Sequence, residues 1–174
     1  MSEVDFQPTL HGDTVILRPT IAGDWDEMYA VASDPLIWAL HPAHDRWQED
    51  VFRQYFADAL DSGGGLTIRD KASGAIIGAS RYSTRWSGAD EVEIGWTFIS
   101  RDYWGGVTNR EVKSLMITHA HRWFTACLFM VGKENLRSRR AMEKIGGVLR
   151  DDTAVHTMAG MPVTHVVYAI GRPE

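Results

Sequence analysis

Two glycines, Gly105 and Gly106, stand directly before a helix-like run in the stretch "RDYWGGVTNREVK". Where a strand hands over to a helix, the first turn of amides has no intrahelical partner, and the helix dipole adds positive potential. Glycines placed there let an anion such as a phosphate approach the backbone closely. The same pair also serves as a plain turn. The stretch matches neither GxxxxGK(S/T) nor GxGxxG, so the nucleotide-hydrolase and dinucleotide fingerprints are both missing. Charge adds a second observation: residues 101–150 hold 10 Lys/Arg against 4 Asp/Glu in a chain whose net charge is −5. One basic segment in an acidic protein suits a local site for an anionic ligand, and a solvated helix face accounts for it equally well.

A second cluster lies in "KENLRSRRAMEKIGG", Lys133–Gly147. Asn135 stands where a strand ends and a helix begins, so it is either an N-cap or a ligand contact. Ser138, three residues on, falls in the first helical turn, where it is either an ordinary helix serine or a hydroxyl within reach of a ligand lying across the strand end. His119 and His121 are two apart on a helix and diverge, which makes a poor metal pair. The single cysteine, Cys127, excludes an intramolecular disulfide and any multi-cysteine metal site. No metal is expected.

These groups need elements to position them. "TVILRP" reads as a strand with Val15 and Leu17 inward, followed by a helix with Asp24 as N-cap and Trp25, Met28, Tyr29 and Ala32 on one face. A second helix spans about Gln48 to Leu60. "LTIRD" and "AIIGASRY" form a hairpin with Gly74 at the turn, and a further strand covers Glu91 to Ile99. Strict alternation there puts Glu91, Glu93 and Gly95 on one face and Val92, Ile94 and Trp96 on the other. A helix bearing Val112, Leu115, Met116, His119, Ala120 and Trp123 follows the glycines. "CLFMV" is a buried strand, Leu136–Ile145 a short helix ended by Gly146-Gly147, and "AVHTM" with "VTHVVYAI" a closing hairpin. The order predicts a mixed α/β layer fold around one sheet.

The 174 residues suit one domain, and 44% hydrophobic with 24% charged residues is ordinary for a globular chain. Nothing approaches a membrane span, "MSEVDFQPTL" lacks a secretory pattern, and the acidic balance argues against nucleic acid. A cytoplasmic setting is the expectation.

Taken together, the strand "VEIGWTF", "YWGG" opening a helix, an apolar strand and "ENLRSRRAMEKIGG" resemble the GNAT superfamily of acetyl-coenzyme A (acetyl-CoA)-dependent N-acetyltransferases. "VILRP", "IIGASRY" and the late "AG" hairpin extend the resemblance over nearly the whole chain, and within the family it is most similar to the RimJ/RimL-like branch. The resemblance implies a single GNAT-type domain over residues 1–174. Its central, mostly antiparallel, twisted sheet would splay between the fourth and fifth predicted strands, Glu91–Ile99 and Cys127–Val131, with helices on both faces.

In that family acetyl-CoA lies in the gap. Its pantetheine arm would pair with backbone near Trp96 and Phe98, and its pyrophosphate would rest on Gly105, Gly106, Val107, Thr108, Asn109 and Arg110. Asn135 would touch the pantetheine, with Ser138 near the sulfur as thiol donor. Glu93 matches the acidic position of the branch's E-I-G-Y/W run and is the candidate general base, an ordinary solvent-facing strand carboxylate being the alternative. Trp38, His41 and Tyr168 would border the acceptor pocket, with loop packing the equal alternative for Trp38 and His41 and core packing the default for Tyr168; Cys127 would be a core residue. The loop departs from the family's Arg/Gln-Gly-x-Gly-x-Gly/Ala: Trp104 comes first, Val107 replaces the second glycine, and Asn109 takes the last small position. A β-branched residue there questions the loop's conformation. The reading is that Asn109 caps the helix while Arg110 or Lys113 supplies charge to a phosphate. The expected activity is acetyl transfer to a primary amine, small-molecule or peptide, in a ternary complex. A CoA-binding module that has lost catalysis is the alternative. The acidic remainder of the chain favours a cationic acceptor through steering. The sequence leaves monomer and homodimer both open.

Overall fold

Residues 3–174 are described by the structure, a computed structural model. Eight segments join one sheet: β1 (Leu10–His11), β2 (Val15–Pro19), β3 (Gly65–Asp70), β4 (Ile76–Ser83), β5 (Glu91–Ile99), β6 (Ala126–Gly132), β7 (Val148–Met158) and β8 (Met161–Gly171). Their spatial order is β1-β2-β3-β4-β5-β6-β8-β7. All neighbours run antiparallel except β5 and β6, which are parallel. Between β2 and β3 lie α1 (Trp25–Ala32), α2 (Pro35–Trp38) and α3 (Glu49–Ser62); α4 (Thr108–Ala120) connects β5 to β6, and α5 (Leu136–Lys144) follows β6.

Inward residues of the strands bury two cores. Val15, Leu17, Ile68, Val92, Ile94, Cys127 and Phe129 pack with Val112 and Met116 of α4 and Met142 of α5. Met28 and Ala32 of α1, Trp38 of α2, and Phe52, Tyr55 and Phe56 of α3 form the other core with Ile76, Ala79 and Phe98. Each fully buried apolar side chain contributes roughly 1.5–3 kcal/mol before entropy is subtracted. The mixed layer fold expected from the sequence is the one observed.

Three local readings need correction. Asp24 stands at the N-cap position of α1 as expected, but its side chain makes no cap bond there. Its carboxylate takes a bidentate pair from Arg18 at 2.9 and 2.7 Å, with the Ile21 amide and the Thr67 hydroxyl as further donors. Burial alone would raise its pKa, and these donors outweigh burial and lower it. The one-turn helix α2, capped by Asp34, and the two-residue β1 are additional elements; β1 exists only through its pairing with Ile16 and Leu17. The closing hairpin is longer than "AVHTM" suggests, starting at Val148.

Two irregularities of β5 shape the site. Its pairing with β6 covers only Glu91–Glu93 against Ala126–Leu128, after which β6 continues with β8 and β5 with β4. Past Glu93 the facing edges of β5 and β6 have no strand partner, so the sheet splays. On the other side, Ala79 pairs with Phe98 and Arg81 with Gly95, so Trp96 and Thr97 together oppose Ser80. This is a β-bulge, with Trp96 at φ 54°. The extra residue flips the strand's faces. Ile94 lies in the α4-side core, whereas Phe98 and the Trp96 indole lie on the α1/α3 side. Alternation therefore fails at Trp96, which does not share a face with Val92 and Ile94.

Candidate active site

Glu93 is the last β5 residue paired to β6, so its carboxylate sits at the mouth of the splay. It is 5% exposed, and Oε2 is buried without a hydrogen-bond partner. Burial pushes its pKa up to about 7, against a smaller opposing pull from Arg81. Gly95 makes room for it, since a Cβ there would come within 3.2 Å of Glu93 Oε1. A carboxyl that titrates near neutrality, with one oxygen unpaired, is suited to accept a proton.

Around Glu93 stands a wall of rings and guanidinium groups on the α1/α3 side. The Tyr55 hydroxyl donates to the Trp96 carbonyl at 2.6 Å, pinning the bulge to α3. Arg81 lies 4.7 Å from the Trp96 ring centroid and 5.4 Å from that of Tyr55. Arg46 lies 5.1 Å from Tyr55 and 5.3 Å from Trp38. His41 meets the Trp38 ring edge-on, and its Nδ1 accepts the Ala43 amide. Burial, followed by Arg46 and His165, pushes His41 down to about 3, so the ring is neutral. The loop carrying it crosses to β6, where a Cβ on Gly132 would come within 2.6 Å of Pro42. Trp38 itself is 1% exposed with its Nε1 donating to the Ala32 carbonyl, so it backs His41 and does not face the cleft.

At the start of α4, Gly105 has φ +75° and Gly106 is exposed with open space around its Cα. Val107 is exposed, at φ −87° and ψ −14°, ordinary right-handed backbone. The conformation that would demand glycine at this position is absent, which answers the question its branched side chain raised. Asn109 does not cap α4; Val107 holds the N-cap position, without a side-chain bond. Instead the Asn109 carboxamide accepts from Lys113 Nζ at 3.2 Å. Thr108 is buried and Arg110 exposed, so of the two cations proposed for a phosphate only Arg110 stands on the surface. Lys113 is buried over the Phe129 ring, and burial pushes it down to about 8. Glu111 anchors this helix end, accepting from the Thr14 amide and hydroxyl.

The Lys113 site has a stability consequence. Its pKa is lower folded than the 10.5 of the unfolded chain, so the unfolded state holds more protons between those values. Stability is expected to rise as pH increases from about 8 to 10.5, and Lys113→Met should abolish that rise in denaturant melts.

Across the splay, α5 begins after β6. Asn135 is its N-cap, accepting the Ser138 amide at 3.3 Å, and Ser138 is half-buried in the first turn. Arg137 stacks on the Trp104 ring at 3.8 Å and so ties this helix to the glycine loop. Tyr168 takes its default place in the core and not the pocket-lining one. It is fully buried in the α4-side core, its hydroxyl accepting from Arg139 and donating to Glu143, and does not line the acceptor side. The Cys127 thiol is also buried, and burial pushes it up to about 12. His119 and His121 bond separate carbonyls, Asp5 and Ile170. Among the described residues, no three His, Cys, Asp or Glu side chains group to hold a metal ion, and no helix is long and apolar enough to cross a membrane.

Sequence reasoning missed Arg46, Arg81 and Tyr55. A signal existed for Arg81, a charge inside the apolar run "AIIGASRY". None existed for Arg46, which reaches the site by a loop.

The arrangement fits an extended acyl carrier with a polyanionic end. The splayed edges of β5 and β6 offer unpaired backbone groups along one wall, and a glycine-opened helix start offers amides at the end. The Trp96 carbonyl is already engaged by Tyr55.

Comparison with known proteins agrees. In solved structures the same fold recurs in a GCN5-related N-acetyltransferase from Brucella melitensis, at TM-score 0.77 and 20% identity over 95% of this chain and 79% of that one. A GNAT-family acetyltransferase from Bacillus anthracis gives 0.75 and 16%, covering 94% and 98%. Spermidine N-acetyltransferase from Vibrio cholerae, in complex with CoA and spermine, gives 0.69 and 13%, covering 92% and 96%. No curated protein matches the chain. The family model of the Acetyltransferase (GNAT) domain matches residues 14–148. With the splayed sheet and the neutral-range carboxyl at its mouth, that match makes the chain a member of the GNAT family, an acetyl-CoA-dependent N-acetyltransferase.

Proposed function

We propose that the enzyme acetylates a primary amine by direct transfer with both substrates bound, with Glu93 as general base and Ser138 as proton donor to the leaving thiol. One observation carries this reading: a buried carboxyl whose Oε2 has no hydrogen-bond partner, pushed up to about 7, at the mouth of the splay. When bound, acetyl-CoA supplies the activated acyl group. The chain's residues do the rest. Glu93 takes a proton from the ammonium of the acceptor. Gly105, Gly106 and the first amides of α4 hold the pyrophosphate, while Trp96, Phe98 and Asn135 flank the arm. Ser138, in the first turn of α5, returns a proton to sulfur. Cys127, buried and protonated, forms no acyl-enzyme. His41 borders the acceptor.

The branch we assign is RimJ/RimL-like, on the "EIGW" and "ENLRSRR" runs, and we place the enzyme in the cytoplasm. Val107, the substitution that suggested a lost cradle, occupies ordinary backbone, so active enzyme is the single reading.

Calorimetry with acetyl-CoA, then thiol release with a panel of amines, tests the proposal. Micromolar binding and turnover of at least one amine are expected; binding without turnover on any acceptor would sink it. Gly105→Ala forces a side chain into positive φ, a cost of about 1–2 kcal/mol. The loop shifts to relieve it, and acetyl-CoA affinity is expected to fall about tenfold in the same calorimeter.

A further inference from the structure

We infer that the acceptor carries an acidic group, a carboxylate or a phosphate, beside the amine that is acetylated, and that Arg46 and Arg81 hold it. The inference rests on the active-site reading above and names the substrate class of that site.

Arg81 is 6% exposed, yet no carboxylate reaches ion-pair distance of it among the described residues. Its Nη2 donates to the Tyr55 carbonyl at 3.1 Å, and its Nε is buried without a partner. Arg46, half-buried, likewise has no ion pair among the described residues. Both guanidinium groups flank one ring, at 5.1 and 5.4 Å from the Tyr55 centroid, and each also lies near an indole, Trp38 or Trp96. A desolvated guanidinium left unpaired is costly, and one packed against rings keeps in-plane N–H groups that match an oxyanion.

Register places Arg81 where an acceptor must sit, and the shared Tyr55 ring brings the loop residue Arg46 alongside it. Arg81 opposes Gly95 and Ser83 opposes Glu93, so Arg81 and Glu93 are diagonal neighbours on one sheet face. Neighbours of that kind lie about 7–8 Å apart. An amine beside Glu93 therefore leaves its acidic group a few bonds away, at Arg81 and Arg46, as in an amino acid or an aminoalkyl phosphate. The neutral His41 contributes no cation to this wall. The net charge of −5 attracts the acceptor's ammonium and not its acidic group, so the local guanidinium pair alone has to hold the acidic end.

The test uses acetyl-CoA and matched acceptors in a thiol-release assay: L-amino acids against their amides, and phosphoethanolamine against ethanolamine. In at least one pair the acidic member should show kcat/KM about 30-fold or more above its neutral partner, as charge-assisted contacts provide. The pair that responds tells carboxylate from phosphate. Arg46→Gln and Arg81→Gln should each cut that ratio to about threefold or less, chiefly through KM, with Arg46→Lys keeping part of it. If Arg81→Gln does not fold, the loop residue Arg46 carries the test. Neutral members matching their acidic partners, a ratio unmoved by both substitutions, or no turnover of any acidic member overturns the inference. Failure to bind acetyl-CoA defeats the acetyltransferase reading itself, whereas turnover confined to neutral amines defeats only this one.

Discussion

Glu93→Gln is expected to lower kcat by roughly 10²–10⁴-fold while acetyl-CoA affinity stays within about twofold, because the amide keeps the shape and loses the base. In the wild type, kcat/KM should climb with pH through about 7 and then level, as the carboxyl gives up its proton. The variant should lack that limb. Stability moves the opposite way. The folded pKa lies above the ordinary 4.5, so between 4.5 and about 7 the folded state holds more protons than the unfolded chain. Wild-type stability therefore falls as pH rises across that window, by up to about 3 kcal/mol, and remains at the lower level above it. Glutamine removes that loss. The variant should melt higher than wild type at pH 8 and equal it near pH 4. A variant that is slow and also less stable at pH 8 would identify Glu93 as a structural group.

Gly78→Ala should give the largest loss of stability by a single methyl. A Cβ on Gly78 would meet the Phe98 carbonyl oxygen at 2.1 Å, and that neighbour is backbone, which has no rotamer to yield. Overpacking of this kind costs roughly 1–3 kcal/mol. For a chain of this length a midpoint drop of about 3–10 °C is expected in a calorimetric melt. Gly78 pairs with Ile99 and Ala79 with Phe98, immediately before the bulge. Separating β4 from β5 there also shifts Trp96. Acetyl-CoA binding should weaken in the folded fraction, and unchanged affinity would show that the bulge is set elsewhere, by Tyr55 or by the Ser80–Thr97 hydroxyl pair.

The sequence by itself determined the longer elements and the family, but not the one-turn α2 or the two-residue β1. Val15 and Leu17, the α3 stripe and "CLFMV" are local periodic patterns, and burial follows them. It also placed the glycine loop at a helix start and Asn135 at a cap, since both depend on a few consecutive residues. Tertiary structure decided what depends on distant partners. Asp24 keeps the N-cap position of α1, but its carboxylate is taken up by Arg18 and Thr67 and not by the helix amides. Tyr168 went to the core because the sheet order carries β8 between β6 and β7. Trp96 changed face because one extra residue opposes Ser80, a register that only the pairing of β4 with β5 defines. The titration of Glu93 is also collective. A glutamate in a strand is ordinary in sequence, and only burial in the folded sheet, winning over the opposing pull of Arg81, strips its water and sets its proton near neutrality.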